Sequence, residues 1–126
     1  MAAPTAIRYH SQSRVLELEY PDGAAFELSC EILRVYSPSA EVRGHGPGQE
    51  VLQTGKKHVA ISDIKPVGNY AVQLVFDDGH DTGIYSWDYL RELGENREPM
   101  WAHYLERMTA AGATRDPDEQ VIRIDL

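Results

Sequence analysis

The sequence is poor in cysteine and has no long apolar segment. Its one cysteine, Cys30, excludes a disulfide framework within the chain and a metal site made of several thiolates. No apolar run approaches the roughly 18 residues that a membrane-spanning helix needs, and the amino terminus lacks the basic start and apolar core of a signal peptide. We therefore expect a cytoplasmic protein that has no membrane partner.

Basic residues are also scarce. The chain has 12 lysines and arginines against 20 aspartates and glutamates, which gives a formal net charge of -8. Phosphate backbones are bound by clustered basic side chains, and the nearest cluster here is Lys56-Lys57 with Lys65. Because the field of such an acidic molecule repels polyanions, we expect no nucleic-acid partner.

What is present is the composition of a folded domain, with 42% hydrophobic and 25% charged residues. A chain of this length buries about two thirds of its unfolded surface, so it needs no disulfide or metal in order to fold. The period-two alternation from Ile7 to Leu28, interrupted at Pro21-Asp22-Gly23, predicts a β-hairpin. Ser29 is the predicted N-cap of a short helix from Cys30 to Tyr36.

The same pattern occurs a second time in the chain. Asp78-Gly79 matches Asp22-Gly23, and Ser86 matches Ser29. Each copy consists of a strand, an Asp-Gly turn, a strand, a serine cap and a short helix that ends in Leu-Arg. Since an isolated hairpin buries too little surface to be stable, the two copies are expected to pack against each other. The predicted fold is α+β, with two β-hairpin-plus-short-helix units packed together and a C-terminal amphipathic helix after them.

The second unit is assigned three strands and a helix with Gly94 at its C′ position: His58 to Ile64, Tyr70 to Phe76, Thr82 to Tyr85 and Trp87 to Leu93. Between the units, Ser37 to Lys57 is predicted to be a long loop, because it is rich in glycine and has few apolar residues.

The C-terminal helix is predicted from Pro99, which suits a helix start, to Gly112. Its apolar stripe is Met100, Trp101, Tyr104, Leu105 and Met108. We therefore expect a single domain over residues 1–112. Residues 113–126 are expected to be a flexible tail, in which Val121 to Ile124 offers an additional edge strand.

The sequence shows no catalytic constellation. No metal-ligand spacing is found among the five histidines, which are His10, His45, His58, His80 and His103. Gly55-Lys56-Lys57 lacks the first glycine and the hydroxyl residue of a phosphate-binding loop. Cys30 falls in an amphipathic helix, where a lone cysteine is usually a small buried hydrophobe. We predict no catalytic residue and no enzyme.

The stretch from Gly79 to Leu90 is the most distinctive in the sequence. Its aromatic residues suit a core at a strand-to-helix junction, because tyrosine and tryptophan bury a large area and keep a polar tip. A turn of small residues that contains a histidine is equally typical of a ligand or partner surface. Both interpretations remain open, and the candidate binding surface is His80, Asp81, Tyr85 and Trp87.

Two groups of residues carry a resemblance to a known family: Leu33-Arg34-x-x-Ser37-Pro38-Ser39 and Asp78-Gly79-His80-x-x-Gly83-x-Tyr85-x-x-x-Tyr89-Leu90. Over roughly Ile7 to Leu93, the sequence resembles the gamma-butyrobetaine hydroxylase-like N-terminal domain family. The resemblance implies a small domain that occurs alone in bacteria, or fused to 2-oxoglutarate oxygenase domains or to iron-sulfur-carrier ATPases. The oxygenase domain is absent from this sequence, so hydroxylase activity is not expected.

The resemblance also shows which residues of this sequence correspond to the zinc ligands of other members. Oxygenase-fused members resemble a zinc module with three cysteines and one histidine. The cysteine positions correspond here to Ser37, Ser39 and Val42, and the histidine position corresponds to His80. Serine is a poor zinc ligand and valine is none, so closed tetrahedral zinc coordination is not expected.

The residues and the resemblance together leave two main hypotheses open. The first is a non-enzymatic docking module that binds a protein partner or takes part in iron or iron-sulfur handling. The second is a protein that binds iron or zinc through His80 with Asp81, and His45 or His58 is a further candidate ligand; apart from that metal, no cofactor is expected. A third, an enzyme with an unrecognised site, is disfavoured because no nucleophile-base pair is visible in the sequence.

Overall fold

A computed structural model describes residues 3–117 of the chain. Within that range it contains ten elements, in the order β1 (Ala6–His10), β2 (Val15–Glu19), β3 (Ala25–Ser29), α1 (Cys30–Val35), α2 (Ala40–Arg43), β4 (Ile61–Val67), β5 (Ala71–Phe76), β6 (Ile84–Ser86), α3 (Trp87–Glu95) and α4 (Arg97–Ala111). None of its helices is long and apolar enough to cross a bilayer. The predicted edge strand from Val121 to Ile124 lies outside the described residues.

The strands form two antiparallel three-stranded sheets, ordered β1-β2-β3 and β4-β5-β6. Each sheet is followed directly by a helix, so the predicted α+β fold of two packed units is confirmed. The first sheet has one strand more than the predicted hairpin, because β1 pairs with β2 from Ala6 opposite Glu19 to His10 opposite Val15.

Local signals correctly placed the starts of α1 and α3 and the end of α4. The Ser29 hydroxyl accepts a hydrogen bond from the Ile32 N–H at 3.1 Å, and the Ser86 hydroxyl accepts one from the Tyr89 N–H at 3.0 Å. Both serines satisfy N–H groups that the first turn of a helix leaves without a helical partner. Gly112 ends α4 in the left-handed conformation, with φ at 62°.

The two Asp-Gly turns have the same backbone geometry. The φ angles of Gly23 and Gly79 are 87° and 89°, in the left-handed region that glycine tolerates best. Each aspartate accepts a hydrogen bond from the N–H two residues later, at 3.1 Å for Asp22 and 3.2 Å for Asp78. The sequence repeat is therefore a repeat of structure down to single hydrogen bonds.

The two units are joined by a pair of matching ion pairs. Arg34, at the end of α1, donates through Nε to Asp78 Oδ2 at 2.8 Å in the second turn. Arg91, which occupies the equivalent position in α3, lies 2.9 Å from Asp22 Oδ2 in the first turn. Each helix thus contacts the turn of the other unit, which gives the repeat an approximate two-fold arrangement.

One apolar core connects both units. It includes Leu16 and Leu28 from the first sheet, Leu74 and Phe76 from the second, and Leu90 from α3, all at most 2% exposed. A second, smaller cluster of Val35, Tyr104 and Met108 holds α4 against the end of α1. The α4 stripe is therefore partly as predicted, but Leu105 is 36% exposed and lies off the buried face.

Strand β4 departs from the prediction. It begins at Ile61 rather than His58, and it extends to Val67. In an unbroken strand from His58 to Ile64, Asp63 would share a face with Val59 and Ile61, but it is exposed. The reason is a β-bulge between Ile61 and Asp63, which inserts an extra residue and ends the period-two alternation.

Two helix ends also differ from the prediction. Gly94 was expected just beyond α3, but the helix continues through it to Glu95, and Asn96 is the C-cap. Helix α4 begins at Arg97, so Pro99 is its third residue, where the first turn still tolerates the missing N–H. The predicted loop from Ser37 to Lys57 contains one short helix, α2.

The chain after α4 crosses back over this loop. The Thr114 and Arg115 carbonyls accept hydrogen bonds from the N–H groups of Gly55 and Lys57 at 3.0 and 2.9 Å. The Arg115 guanidinium donates two hydrogen bonds to the buried Glu31 carboxylate, at 2.7 and 2.8 Å. These contacts belong to the start of the segment 113–126, most of which lies outside the described residues.

Candidate functional site

His80 is the main difference between the two otherwise similar turns. It follows the second Asp-Gly turn at the position that Ala24 occupies after the first. The His80 carbonyl accepts from the Phe76 N–H at 2.9 Å, just as the Ala24 carbonyl accepts from the Tyr20 N–H at 2.9 Å. The backbones therefore match, and only the second unit places an imidazole here, with 5% of the residue exposed.

Both nitrogens of the His80 ring have partners from the loop that begins at Ser37. Nδ1 lies 3.1 Å from Glu41 Oε2, and Nε2 lies 2.9 Å from Ser37 Oγ and 3.3 Å from Ser39 Oγ. Because a carboxylate only accepts, Nδ1 of the neutral ring donates to Glu41 and Nε2 accepts from a serine hydroxyl. The Thr82 hydroxyl donates to the other Glu41 oxygen at 3.0 Å. We call these five residues the His80 cluster.

The electrostatics keep the His80 ring neutral. Burial lowers the pKa of His80, and the nearby Arg34 guanidinium lowers it further, against the opposing effect of Glu41 and Asp78. A neutral ring has one donor and one acceptor, and the cluster supplies a partner for each. Among residues 3–117, every buried side-chain nitrogen and oxygen has a hydrogen-bond partner.

Close packing from the second unit fixes the same loop. A Cβ on Gly83 would lie 2.5 Å from Ser37 Oγ, so only glycine permits this approach. Tyr85 is fully buried and its hydroxyl donates to the Leu33 carbonyl, while the Tyr89 hydroxyl donates to the Tyr36 carbonyl at 2.5 Å. The second unit thus supplies hydrogen bonds to carbonyls at the end of α1.

The four residues of the candidate binding surface have different environments. His80 and Tyr85 are buried and shape the surface from beneath. Asp81 is exposed, and its carbonyl accepts from the Gln73 side chain at 2.6 Å. Trp87 is half-buried and its indole N–H donates to the Asn69 carbonyl at 2.8 Å. Asp81 is not among the residues that contact the His80 ring.

Of the positions that correspond to zinc ligands, three lie together. Ser37 and Ser39 contact His80 directly, while Val42 is buried nearby, with its N–H donating to the Ser39 carbonyl at 3.2 Å. Two neutral hydroxyls and a single imidazole do not fit a tetrahedral zinc ion. Within the part of the chain that the structure describes, no group of three His, Cys, Asp or Glu residues is suited to hold a metal.

The contacts Ser37–His80–Glu41 follow the hydrogen-bond order of a serine hydrolase triad. A catalytic serine must reach a carbonyl carbon, and its hydroxyl must be accessible to substrate. Ser37 is 1% exposed, and its hydroxyl is enclosed by Ser39, His80 and Gly83. The arrangement is therefore that of a structural hydrogen-bond network.

A cavity of about 490 Å³ lies beside the His80 cluster and includes Ser37 in its lining. Its wall is apolar and aromatic, formed chiefly by Val35, Tyr36, Val42 and Tyr89. Arg43 and Arg107 contribute two positive charges to the same lining. The sequence marks the loop but does not identify Tyr89 and Arg107 as its neighbours, because no local pattern connects residues so distant along the chain.

Comparisons with known proteins agree with this architecture. A family model described as gamma-butyrobetaine hydroxylase-like, N-terminal, matches residues 7–91. No curated protein gives a match. Two solution NMR structures are similar over 100% of this chain, one at 48% identity with a TM-score of 0.82 over 99% of its own chain, the other at 50% identity with a TM-score of 0.80 over 95%.

A crystal structure from Acidithiobacillus ferrooxidans is also similar. It is 45% identical, with a TM-score of 0.61, and the match covers 72% of this chain and 91% of that one. It is described as a protein with unknown function from the DUF971 family.

Proposed function

The chain belongs to the family of gamma-butyrobetaine hydroxylase-like N-terminal domains, and we propose that it is a non-enzymatic docking module for a protein partner. The observation that carries the proposal is the cavity beside the His80 cluster, with its apolar wall and its two arginines. Concave, mostly apolar sites with a few polar groups are the usual form of a binding site.

The His80 cluster supports this function by positioning the cavity wall. Ser37, Ser39 and Glu41 all bind the His80 ring, so the start of the loop is fixed to the second unit. Tyr36 and Val42, on either side of these residues, then line the cavity. A hydrogen-bonded histidine thus does what the resemblance assigns to a metal in other members, because it ties the loop to the turn.

The family suggests the class of partner. Domains of this family fused to iron-sulfur-carrier ATPases favour a role accessory to iron or iron-sulfur handling, with the chain binding a protein of such a system. The alternative function is iron or zinc binding through His80. A metal ion there would have to replace one of the hydrogen bonds that engage both ring nitrogens. Elemental analysis of native, untagged protein purified without chelator tests it, and stoichiometric metal that a His80→Ala variant lacks would favour the alternative.

A variant that obstructs the cavity tests the docking function. Gly46 borders the cavity, and its φ is not positive. Because a Cβ built on it meets no atom within 4 Å, the Gly46→Trp variant is expected to fold. Ala102→Trp, on an exposed face of α4, is the matched control. Each variant is immobilised, and the amount of a partner protein that it captures is measured. We expect Gly46→Trp to capture none of a partner that both wild type and Ala102→Trp capture.

Two outcomes would contradict the proposal. One is a set of captured proteins that is the same for wild type and Gly46→Trp. The other is hydrolysis of p-nitrophenyl acetate by wild type at a rate that Ser37→Ala and His80→Ala both abolish, because that result would make the cluster an active site.

A further inference from the structure

The cavity beside the His80 cluster combines an apolar interior with positive charge. Val35, Val42 and the rings of Tyr36 and Tyr89 give it surfaces that suit a hydrocarbon side chain. Its volume of about 490 Å³ lies within the range of about 300–1,000 Å³ that is usual for sites of small ligands. This space is enough for the end of a polypeptide.

The two arginines of the cavity differ from those that hold the fold together. Arg34, Arg91 and Arg115 each have a carboxylate partner, at 2.8, 2.9 and 2.7 Å. Among residues 3–117, no carboxylate lies within 4.0 Å of the guanidinium of Arg43 or Arg107. Arg43 lies 4.9 Å from the centre of the Tyr89 ring, and Arg107 donates one long hydrogen bond, 3.4 Å, to the Glu50 carbonyl.

The one acidic residue of the cavity lining, Glu50, forms no ion pair within 4.0 Å with either arginine. The Glu50 carboxylate accepts a hydrogen bond from the Gly48 N–H at 3.2 Å, within its own loop. The pKa of Glu50 is lowered first by backbone N–H groups of Glu50 and Gly48, and then by Arg107 and His103. In a chain of net charge -8, this cavity is therefore a place where an incoming anion meets two guanidinium groups that have neutral hydrogen-bond or ring partners and no close carboxylate within residues 3–117.

We infer that the cavity binds the free carboxyl terminus of a partner polypeptide whose last residue is apolar. The terminal carboxylate pairs with Arg43 and Arg107, since guanidinium groups bind carboxylates through paired, charge-assisted hydrogen bonds. The last side chain packs between Tyr36, Tyr89 and the valines. A chain end presents a carboxylate and a side chain on the same carbon, which matches the 4.9 Å between the Arg43 guanidinium and the centre of the Tyr89 ring. The inference rests on the proposed docking function and names the part of the partner that is recognised.

A peptide titration tests the inference with the whole chain. The probe is an acetylated five-residue peptide of glycine and serine that ends in phenylalanine, with a free carboxyl terminus, and its comparison is the same peptide as a C-terminal amide. Amide NMR shifts are expected at Tyr36, Arg43 and Tyr89 with the free acid. The dissociation constant should rise about tenfold or more for the amide peptide, and by a similar factor for Arg43→Gln or Arg107→Gln.

Arg97→Gln is the matched control, because Arg97 is an exposed arginine that donates to the Glu27 carbonyl at 2.7 Å and is not part of this cavity. It should leave the affinity unchanged. Equal binding of acid and amide peptides, or no shift with either at millimolar concentration, would overturn the inference. Binding of 3-phenylpropionate as tight as that of the peptide would make the ligand a small acid and would also overturn it.

The test separates this inference from the docking function on which it rests. If Gly46→Trp abolishes partner capture while the acid peptide does not bind, docking stands and carboxyl-terminus recognition fails. If the peptide binds but capture is insensitive to Gly46→Trp, the cavity is a binding site and the proposed docking surface is wrong.

Discussion

At the scale of single residues, His80 links the folding stability of the molecule to pH. Its ring is neutral in the folded state because burial and Arg34 lower its pKa. In the unfolded chain the ring titrates near its usual pKa of about 6.5. Below that pH the unfolded state binds a proton that the folded state does not, so folding stability decreases as pH falls from about 6.5 toward the lowered pKa.

We therefore predict that the wild-type free energy of unfolding decreases between about pH 7 and pH 5, with a slope of at most about 1.4 kcal/mol per pH unit from this residue. His80→Gln removes that contribution, whereas His103→Gln, at an exposed histidine on α4, retains it. Urea denaturation at a series of pH values measures the three slopes. Parallel profiles for wild type and His80→Gln would show that His80 is not protonated differently in the two states.

The sequence allowed part of the site to be predicted at this scale. His80 follows only the second of the two Asp-Gly turns, and the resemblance connects it with Ser37 and Ser39, which do contact it. Glu41 was missed, since a surface glutamate in a glycine-rich loop carries no local signal. Burial of Tyr85 agrees with the core interpretation of its stretch, whereas burial of His80 depends on packing between the two units and has no local signal.

At the scale of elements, Gly94 shows how tertiary contacts override local rules. It lies inside α3, where alanine is normally more stable by about 0.5–1 kcal/mol. A Cβ at this position would lie 2.5 Å from Cγ of Phe26 in β3, so the helix can approach the strand only with glycine here. From the sequence alone, Gly94 is predicted to follow the helix, because glycine most often marks a helix end.

We predict that Gly94→Ala destabilises the protein by about 1–3 kcal/mol, as overpacked core substitutions do. In a Phe26→Ala background the same substitution should cost less, because the ring that it meets is gone. Urea denaturation of the two single variants and the double variant measures the difference. A Gly94→Ala variant more stable than wild type would mean that helix propensity dominates and that the close approach is easily relieved.

The loop before and within α2 retains the arrangement that the resemblance assigns to a zinc module. Ser37 Oγ and Ser39 Oγ lie 3.2 Å apart, and both are within 3.3 Å of His80 Nε2. Replacing the hydroxyls by thiolates would supply soft ligands where the geometry already converges. The variant with Ser37→Cys, Ser39→Cys and Val42→Cys is therefore predicted to bind one zinc ion per chain, measured by elemental analysis after purification without chelator.

The control is the same triple variant with His80→Ala, which should bind zinc more weakly because it lacks the fourth ligand. A folded triple variant without stoichiometric zinc would show that the three positions do not converge on His80 as the resemblance implies.

The elements themselves were predictable where their signals are local. Serine caps, Asp-Gly turns and period-two alternation involve neighbouring residues, and they located the helices α1 and α3 and the strands β2, β3, β5 and β6. The bulge in β4 is not local, because it depends on how Ile61 and Asp63 pair with β5. The order of β1 beside β2 likewise follows from pairing rather than from composition.

At the scale of the whole molecule, the repeat produces two similar contacts between the units, and different side chains occupy them. Gly83 closely approaches Ser37 on one side, and the equivalent residues on the other side, Phe26 and Gly94, approach each other in the same way. One interface is filled by an aromatic ring and the other by the His80 cluster. The approximate symmetry therefore provides the scaffold, and its violation at His80 creates the candidate site and the cavity beside it.

The two ion pairs that join the units should differ in strength for the same reason. The Arg34 and Asp78 side chains are 9% and 20% exposed, and Asp78 also pairs with Lys56 at 2.5 Å. The Arg91 and Asp22 side chains are 20% and 58% exposed, so solvent screens that pair more strongly. Screening acts on the interaction between the partners, which a double-mutant cycle isolates from the effects of each single substitution.

We predict a coupling energy of about 1–2 kcal/mol between Arg34 and Asp78, from alanine cycles measured by urea denaturation. The coupling between Arg91 and Asp22 should be distinctly smaller and should fall further in high salt. The smaller value does not make Arg91 dispensable, since its guanidinium also lies over the rings of Tyr20 and Phe26. Equal couplings for the two pairs would mean that the symmetry of the repeat, rather than the burial around His80, determines how strongly the units are held together.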